Sequence, residues 1–304
     1  MMITNEESCR ILEYLPKRIR KIIYFLPLEN LEEIRLRQGL PITLCYRDGF
    51  RYITGSGELS SSYSGCMIAS KADLIEGMEL ITEGSVYALS DEIKNGFITV
   101  GGGCRVGICG SVVSEKGKIC NINHVSGLNF RIAKEVVGAA KDIMPYVYNE
   151  SHIRNTLIIS PPQCGKTTLL RDVARSLSEL GKKVSIIDER NEISAMSDGK
   201  TGYNLGISSD VLSGAAKGEG SLLMLRSMSP DVIITDELGA DEEGRVLSKI
   251  ASSGVNIIST IHAANRLDLS KRKEIAAICP FFSCFVTLSR RNGAGTIEEI
   301  YCAD

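Results

Sequence analysis

The sequence predicts an α/β chain of two parts: a mostly parallel sheet with helices over 150–304, preceded by a smaller α+β domain over 1–149. Three observations predict it. At 304 residues the chain exceeds one ordinary domain of roughly 150 residues. From residue 153 onward, apolar β-rich runs alternate with helical stretches, the pattern of βαβ units. Before residue 150 the strand-like runs are instead short and bounded by Gly, Pro and Asp turns, with a hairpin within 97–122.

The elements follow in order. Leu12, Leu15, Ile19, Ile22, Ile23 and Leu26 recur at helical spacing within 11–26, an amphipathic helix. LEEIRLR (31–37) and ITLCYRDG (42–49) read as short strands with turns at Gly39–Pro41 and Asp48–Gly49. A serine-rich loop covers 55–65, and Ala72 to Ile81 is helical. Residues 97–122 turn to β. Gly101 and Gly103 look like the start of a dinucleotide fingerprint, but no helix opens after them, as the fingerprint requires; they are read as tight turns in a hairpin. Residues 134–148 form another apolar helix, broken at Pro145. The second half runs as TLIIS (156–160), a helix from Lys166 to Leu180, VSIID (184–188), a helix within 211–227, VIITD (232–236), a helix across 241–253, and NIISTIH (256–262).

Composition removes several function classes. Hydrophobic residues make up 43% and charged residues 24%, the balance of a globular chain. Thirty-five basic residues against 37 acidic give a net charge of −2, so bulk charge does not favour nucleic acid as a partner. No apolar run reaches the ~18 residues of a membrane span, and the first residues lack the basic and apolar regions of a signal peptide. The expected location is the cytoplasm, with membrane contact only through partners. The ten cysteines are scattered, as buried thiols are in a reducing compartment. Cys104, Cys109, Cys120 and His124 offer a zinc set, yet their spacing is not the tight C-x2-C of structural sites, so plain thiols are expected.

The strongest chemical signal runs from Thr156 to Thr168. A buried strand enters a tight loop, Pro161, Pro162, Gln163, Cys164 and Gly165, which opens a helix at Lys166, Thr167 and Thr168. This is a phosphate-binding P-loop. Amides of Gln163 to Thr167 would surround a β-phosphate at the helix N-terminus, Lys166 would reach the β and γ oxygens, and the Thr167 hydroxyl would ligate Mg²⁺. The motif asks for Gly where Ser160 stands. That glycine leads into the loop and is not a direct ligand, so a small Ser is compatible with it.

The second signal is Val232 to Glu237: a buried β-branched strand ending in two acids, with Asp236 holding Mg²⁺ water and Glu237 polarising an attacking water. Ile187-Asp188-Glu189-Arg190 ends another strand at the edge where parallel sheets bind ligands. Thr260-Ile-His262 ends a third, and His262 there is placed to sense a γ-phosphate.

Together SPPQCGKTTLLRDVAR, VSIIDERNEI, VIITDELG and STIHA resemble the secretion and traffic ATPases of bacteria, with their Walker A loop, Asp box, Walker B strand and His box. LEEIRLRQGLPI, GFITVGGGCRVGICGSVV and LNFRIAKEVVGAAKDIM are similar to the stage III sporulation AA family of endospore-forming bacteria, a likeness running from about residue 30 to the end. The resemblance implies a RecA-like P-loop NTPase domain that hydrolyses ATP with Mg²⁺. It also implies a hexameric ring of this chain, serving membrane channel proteins of the sporulation apparatus between mother cell and forespore. By motif match it makes Lys166 and Thr167 nucleotide ligands, Asp236 and Glu237 the Walker B pair, Glu189 the Asp-box acid and His262 the His-box residue. Arg105 and Arg131 lie in the matching N-terminal segments and become candidates for phosphate contacts between domains or subunits. Two alternatives stand beside this reading: a ring scaffold that binds ATP without hydrolysing it, and a DNA-handling P-loop ATPase.

Overall fold

The computed structural model describes residues 11–303 apart from 86–88, 95, 116–117, 134, 150–151, 198, 239–242, 273–274 and 276–277. The chain divides into two compact units, Met1–Lys134 with Ala195–Gly202, and Glu135–Ser194 with Tyr203–Asp304.

The first unit contains α1 (Lys17–Ile23), β1 (Leu31–Arg37), β2 (Thr43–Tyr46), β3 (Gly49–Ile53), β4 (Leu59–Ser60), α2 (Lys71–Thr82), α3 (Ser90–Lys94), β5 (Phe97–Val100), β6 (Cys104–Glu115) and β7 (Lys118–Arg131). Its seven strands make one sheet in the order β4-β3-β2-β1-β7-β6-β5, with antiparallel neighbours throughout. Ile34, Leu36, Leu44, Val106, Leu128 and Phe130 from the sheet share one core with Ile19 and Ile23 of α1 and Leu74 and Ile81 of α2. Each such fully buried side chain contributes roughly 1.5–3 kcal/mol. Gly101–Gly103 form a single 3₁₀ turn joining antiparallel β5 and β6, as the hairpin reading expects. The helix expected over 11–26 is shorter: Pro16 stands at the N-cap of α1 with ψ 138°, because a proline inside the helix would remove a hydrogen bond and clash with the preceding turn.

The second unit contains α4 (Met144–Val147), β8 (Tyr148–Asn149), β9 (His152–Ile153), β10 (Thr156–Ser160), α5 (Lys166–Glu179), β11 (Val184–Asp188), β12 (Ser209–Ser213), α6 (Lys217–Ser227), β13 (Val232–Thr235), α7 (Glu243–Ser252), β14 (Asn256–His262), α8 (Arg266–Lys271), β15 (Cys284–Ser289) and β16 (Thr296–Cys302). Its main sheet runs β12-β11-β13-β14-β10-β15-β16. All pairs are parallel except β15–β16, so the fold is α/β with a mostly parallel sheet. Successive side chains of the central strands enter opposite layers. Ile158, Ile186, Ile234 and Ile258 pack with Leu169, Leu170, Val173 and Leu177 of α5. Leu157, Ile159, Ile233 and Ile257 pack with Met224, Leu247 and Ile250 of α6 and α7. Burial on both faces is why these strands read as continuous apolar runs.

Two expectations change. Residues 134–148 are turns around the single-turn α4, not one helix. Gly138 adopts φ 86° and Pro145 falls inside α4, yet Ala140, Ile143 and Val147 are still buried in the second unit's core. Their packing places residues 135–149 with that unit, ahead of the expected boundary at 149/150; residue 150 itself lies outside the described residues. The helix expected within 211–227 is there, as Lys217–Ser227, and 209–213 before it pair with β11 as an edge strand. Residues 241–242 of the helix expected across 241–253 lie outside the described residues.

Candidate nucleotide site

The sheet brings three strand ends together. β14 lies between β10 and β13; Ser160 stands opposite His262, and Thr235 opposite Ser259. The Ser259 hydroxyl donates to the carbonyls of Thr235 (2.9 Å) and Asp236 (3.2 Å), and the Leu238 amide donates to the Thr260 carbonyl at 2.8 Å. These bonds fix the chain where it leaves β13, so Asp236 and Glu237 sit beside His262.

From β10 the chain turns through 161–165 and enters α5. Gly165 is the N-cap with φ 85° and brings no side chain to cap the helix. The first turn of α5 carries no acid, so its amides and dipole favour an anion. The β15–β16 hairpin braces the turn: the Gly295 amide donates to the Cys164 carbonyl at 2.9 Å. Ser160 is fully buried, and its hydroxyl donates to the Pro161 carbonyl at 2.8 Å.

A cavity of about 400 Å³ opens above this turn. Of the residues expected from the sequence, Pro162, Gln163, Gly165, Lys166, Thr167, Thr168, Asp236, Glu237 and His262 line it. Pro161 and Cys164 do not. Cys164 is buried beneath the loop, with its thiol 3.6 Å from the Pro162 carbonyl. Glu189 lies outside the lining, but its Oε2 is 3.6 Å from the Lys217 Nζ. Lys217, Arg190, Glu192 and Ala294 also line the cavity; no motif in the sequence marks them as a set.

The side chains form a charged line. Lys166 Nζ is 2.8 Å from His262 Nδ1 and 3.4 Å from the carbonyls of Ser160 and Pro161. An ammonium can only donate, so in this contact Nδ1 is assigned as the acceptor and Nε2 as the N–H. Nε2 faces Glu237 Oε1 at 3.6 Å. Burial pushes the Lys166 ammonium below the usual lysine range, while the Glu237 charge opposes that shift. Burial also pushes the Asp236 carboxyl up, and the Lys217 charge pulls it back. Asp188 is committed elsewhere. Its Oδ1 accepts from the Glu192 (2.8 Å) and Ile193 (3.2 Å) amides, and its Oδ2 from the Ser194 amide (2.7 Å) and hydroxyl (2.6 Å). Asp188 therefore shapes the loop, leaving Glu189 to face Lys217.

This arrangement can hold a polyphosphate at the helix tip, with Lys166 as its counter-charge. Asp236 Oδ1 is buried without a well-aligned hydrogen bond, so its lone pairs fit a hydrated Mg²⁺, with the Thr167 hydroxyl on the same cavity wall. Among the described residues no group of three His, Cys, Asp or Glu side chains forms a metal cluster, and Cys104, Cys109, Cys120 and His124 do not come together as one. Arg105 and Arg131 stand opposite each other on β6 and β7 in the first unit; Arg105 lies over the Phe97 ring, and Arg131 pairs with Glu33 at 3.4 Å.

Comparison with known proteins adds to this geometry. A family model described as sporulation stage III, protein AA, matches residues 5–304. The stage III sporulation protein AA of Bacillus subtilis (strain 168) is 37% identical over 305 residues, covering 97% of this chain and 95% of that protein. Among solved structures, the pilus retraction motor PilT with bound ADP superposes with TM-score 0.57 at 14% identity, over 91% of this chain and 77% of that one. The Legionella pneumophila ATPase DotB gives TM-score 0.55 at 14% identity, over 90% and 76%. At these identities the two structures establish a shared fold. Among the described residues no helix is long and apolar enough to cross a membrane.

Proposed function

The chain belongs to the sporulation stage III protein AA family, and on that premise we propose that it is a Mg²⁺-dependent ATPase, a motor working as a homo-hexameric ring. Its work serves a channel between mother cell and forespore, received by membrane proteins of the sporulation apparatus. One observation carries the catalytic part: Lys166 at the tip of α5, His262 at the end of β14, and Asp236 and Glu237 just beyond β13 line one cavity. The shared fold with a pilus retraction motor and a DotB ATPase supports the motor part.

The residues act as follows. Amides of Gln163 to Thr167 and the Lys166 ammonium hold the triphosphate. Lys166 leaves His262 and two neutral carbonyls for phosphate oxygens, because charge-assisted hydrogen bonds are roughly twice as strong. Thr167 and Asp236 would hold Mg²⁺, which neutralises phosphate charge when bound. Glu237 takes the proton of the attacking water, a role worth typically 10²–10⁴-fold. His262, its Nε2–H toward Glu237, keeps that carboxylate aimed.

The test is phosphate release by purified full-length protein. Glu237→Gln is expected to bind ATP and turn over at least about a hundredfold more slowly. Turnover like the wild type would remove Glu237 from the mechanism. A wild-type protein that binds ATP but releases no phosphate, even when assembled, would favour the ring scaffold. Stimulation of hydrolysis by single-stranded DNA at physiological salt would favour the DNA-handling reading.

A further inference from the structure

Lys217 lies where helix physics disfavours it. β12 ends at Ser213, the chain turns through 214–216, and Lys217 is the first residue of α6. A cation there meets the positive end of the helix dipole, so its place must be offset by acids. Its Nζ lies 3.3 Å from Asp236 Oδ1 and 3.6 Å from Glu189 Oε2, and it donates to the Glu237 carbonyl. The side chain is only 14% exposed. Asp236 Oδ1 is buried without a well-aligned hydrogen bond, so its 3.3 Å contact with Lys217 is chiefly charge attraction. The Asp236 oxygen that a hydrated metal would use is thus covered by a tethered, monovalent, displaceable charge.

We propose that Lys217 is the resident counter-charge of the metal site: its ammonium holds Asp236 and Glu189 until Mg²⁺ arrives with nucleotide, and so sets the Mg²⁺ concentration that nucleotide binding requires. The inference rests on the P-loop reading above. Without Lys217, Asp236 and Glu189 lose the cation that both contact, which costs stability in the metal-free protein and favours a divalent ion. With it, Mg²⁺ must first displace the ammonium. A purely structural tie would cost stability equally with and without metal and leave the Mg²⁺ requirement unchanged.

The experiment titrates Mg²⁺ into full-length protein at a fixed concentration of a fluorescent, non-hydrolysable ATP analogue, reading binding and not turnover. For Lys217→Met the Mg²⁺ midpoint is expected to fall about tenfold, or about 1.4 kcal/mol. Lys217→Arg, which keeps the charge, stays within about twofold of the wild type. In a second arm, Mg²⁺ alone is added to nucleotide-free protein and melting is followed. Lys217→Met melts below the wild type in chelator and gains more from the metal. An unchanged or raised midpoint in Lys217→Met, with analogue binding intact, overturns the counter-charge role and leaves the P-loop reading standing. A wild-type protein that binds no analogue at any Mg²⁺ concentration overturns both.

Discussion

Gly165 joins backbone strain to chemistry. Its φ of 85° belongs to the left-handed region, and a Cβ built there would stand 3.2 Å from the Gly295 amide nitrogen. Only glycine satisfies both conditions, since an L side chain in this region costs roughly 1–2 kcal/mol. Gly165→Ala is therefore expected to lower stability by about that amount and to weaken nucleotide binding more than tenfold, because the shifted turn misaims the α5 amides; calorimetry and melting read the two effects separately. At this scale much of the site was legible. Lys166, Asp236, Glu237 and His262 each close a recognisable strand–turn pattern, and all four line the cavity. Lys217 was not legible: it sits in a small-residue, polar stretch without periodicity, and its role depends on the sheet order that sets β11 beside β13.

Individual elements show the same division. β10, β11, β13 and β14 announced themselves because strands buried on both faces are uninterrupted apolar runs. β12 is a five-residue edge strand with no fully buried residue, so it carries no such signal. The helix expected over 134–148 shows burial and backbone coming apart: Ala140, Ile143 and Val147 keep helical spacing and are buried, but Gly138 and Pro145 stop the helix. In the first unit, α2 opens with a capping box, Ser70 accepting from the Asp73 amide and Asp73 from the Ser70 amide. Burial alone would push the Asp73 carboxyl up, but the Arg18 guanidinium at 2.5 Å and the Ser70 hydrogen bonds hold it below the usual carboxylate range. A carboxylate whose folded pKa is depressed stabilises the fold above its unfolded pKa, near 4, and loses that contribution as pH falls through the folded value. Asp73→Asn is thus expected to cost about 1–2 kcal/mol at neutral pH in urea unfolding. The gap from wild type should close as pH drops below about 4; a gap independent of pH would place the cost in packing instead.

For the whole molecule, the alternation of strands and helices after residue 153 conveyed the α/β class, while short turn-bounded strands conveyed an α+β first half whose antiparallel order only the structure shows. The return of Ala195–Gly202 to the first unit was hidden, because that segment follows the Asp188 loop in sequence and departs from it only in space. Chain assembly was likewise not readable from composition. If the proposed ring forms around nucleotide, mass measurement should show a hexamer with a slowly hydrolysed ATP analogue and smaller species without it; a monomer under both conditions would remove the ring. Everything else depends on whether the turn before α5 holds a triphosphate. The most direct measurement is calorimetric titration of ATP with Mg²⁺ into the full-length wild type and Lys166→Ala. Saturable one-site binding by the wild type, lost in the variant, is the predicted result. Equal binding by both proteins, or none by the wild type, would contradict it.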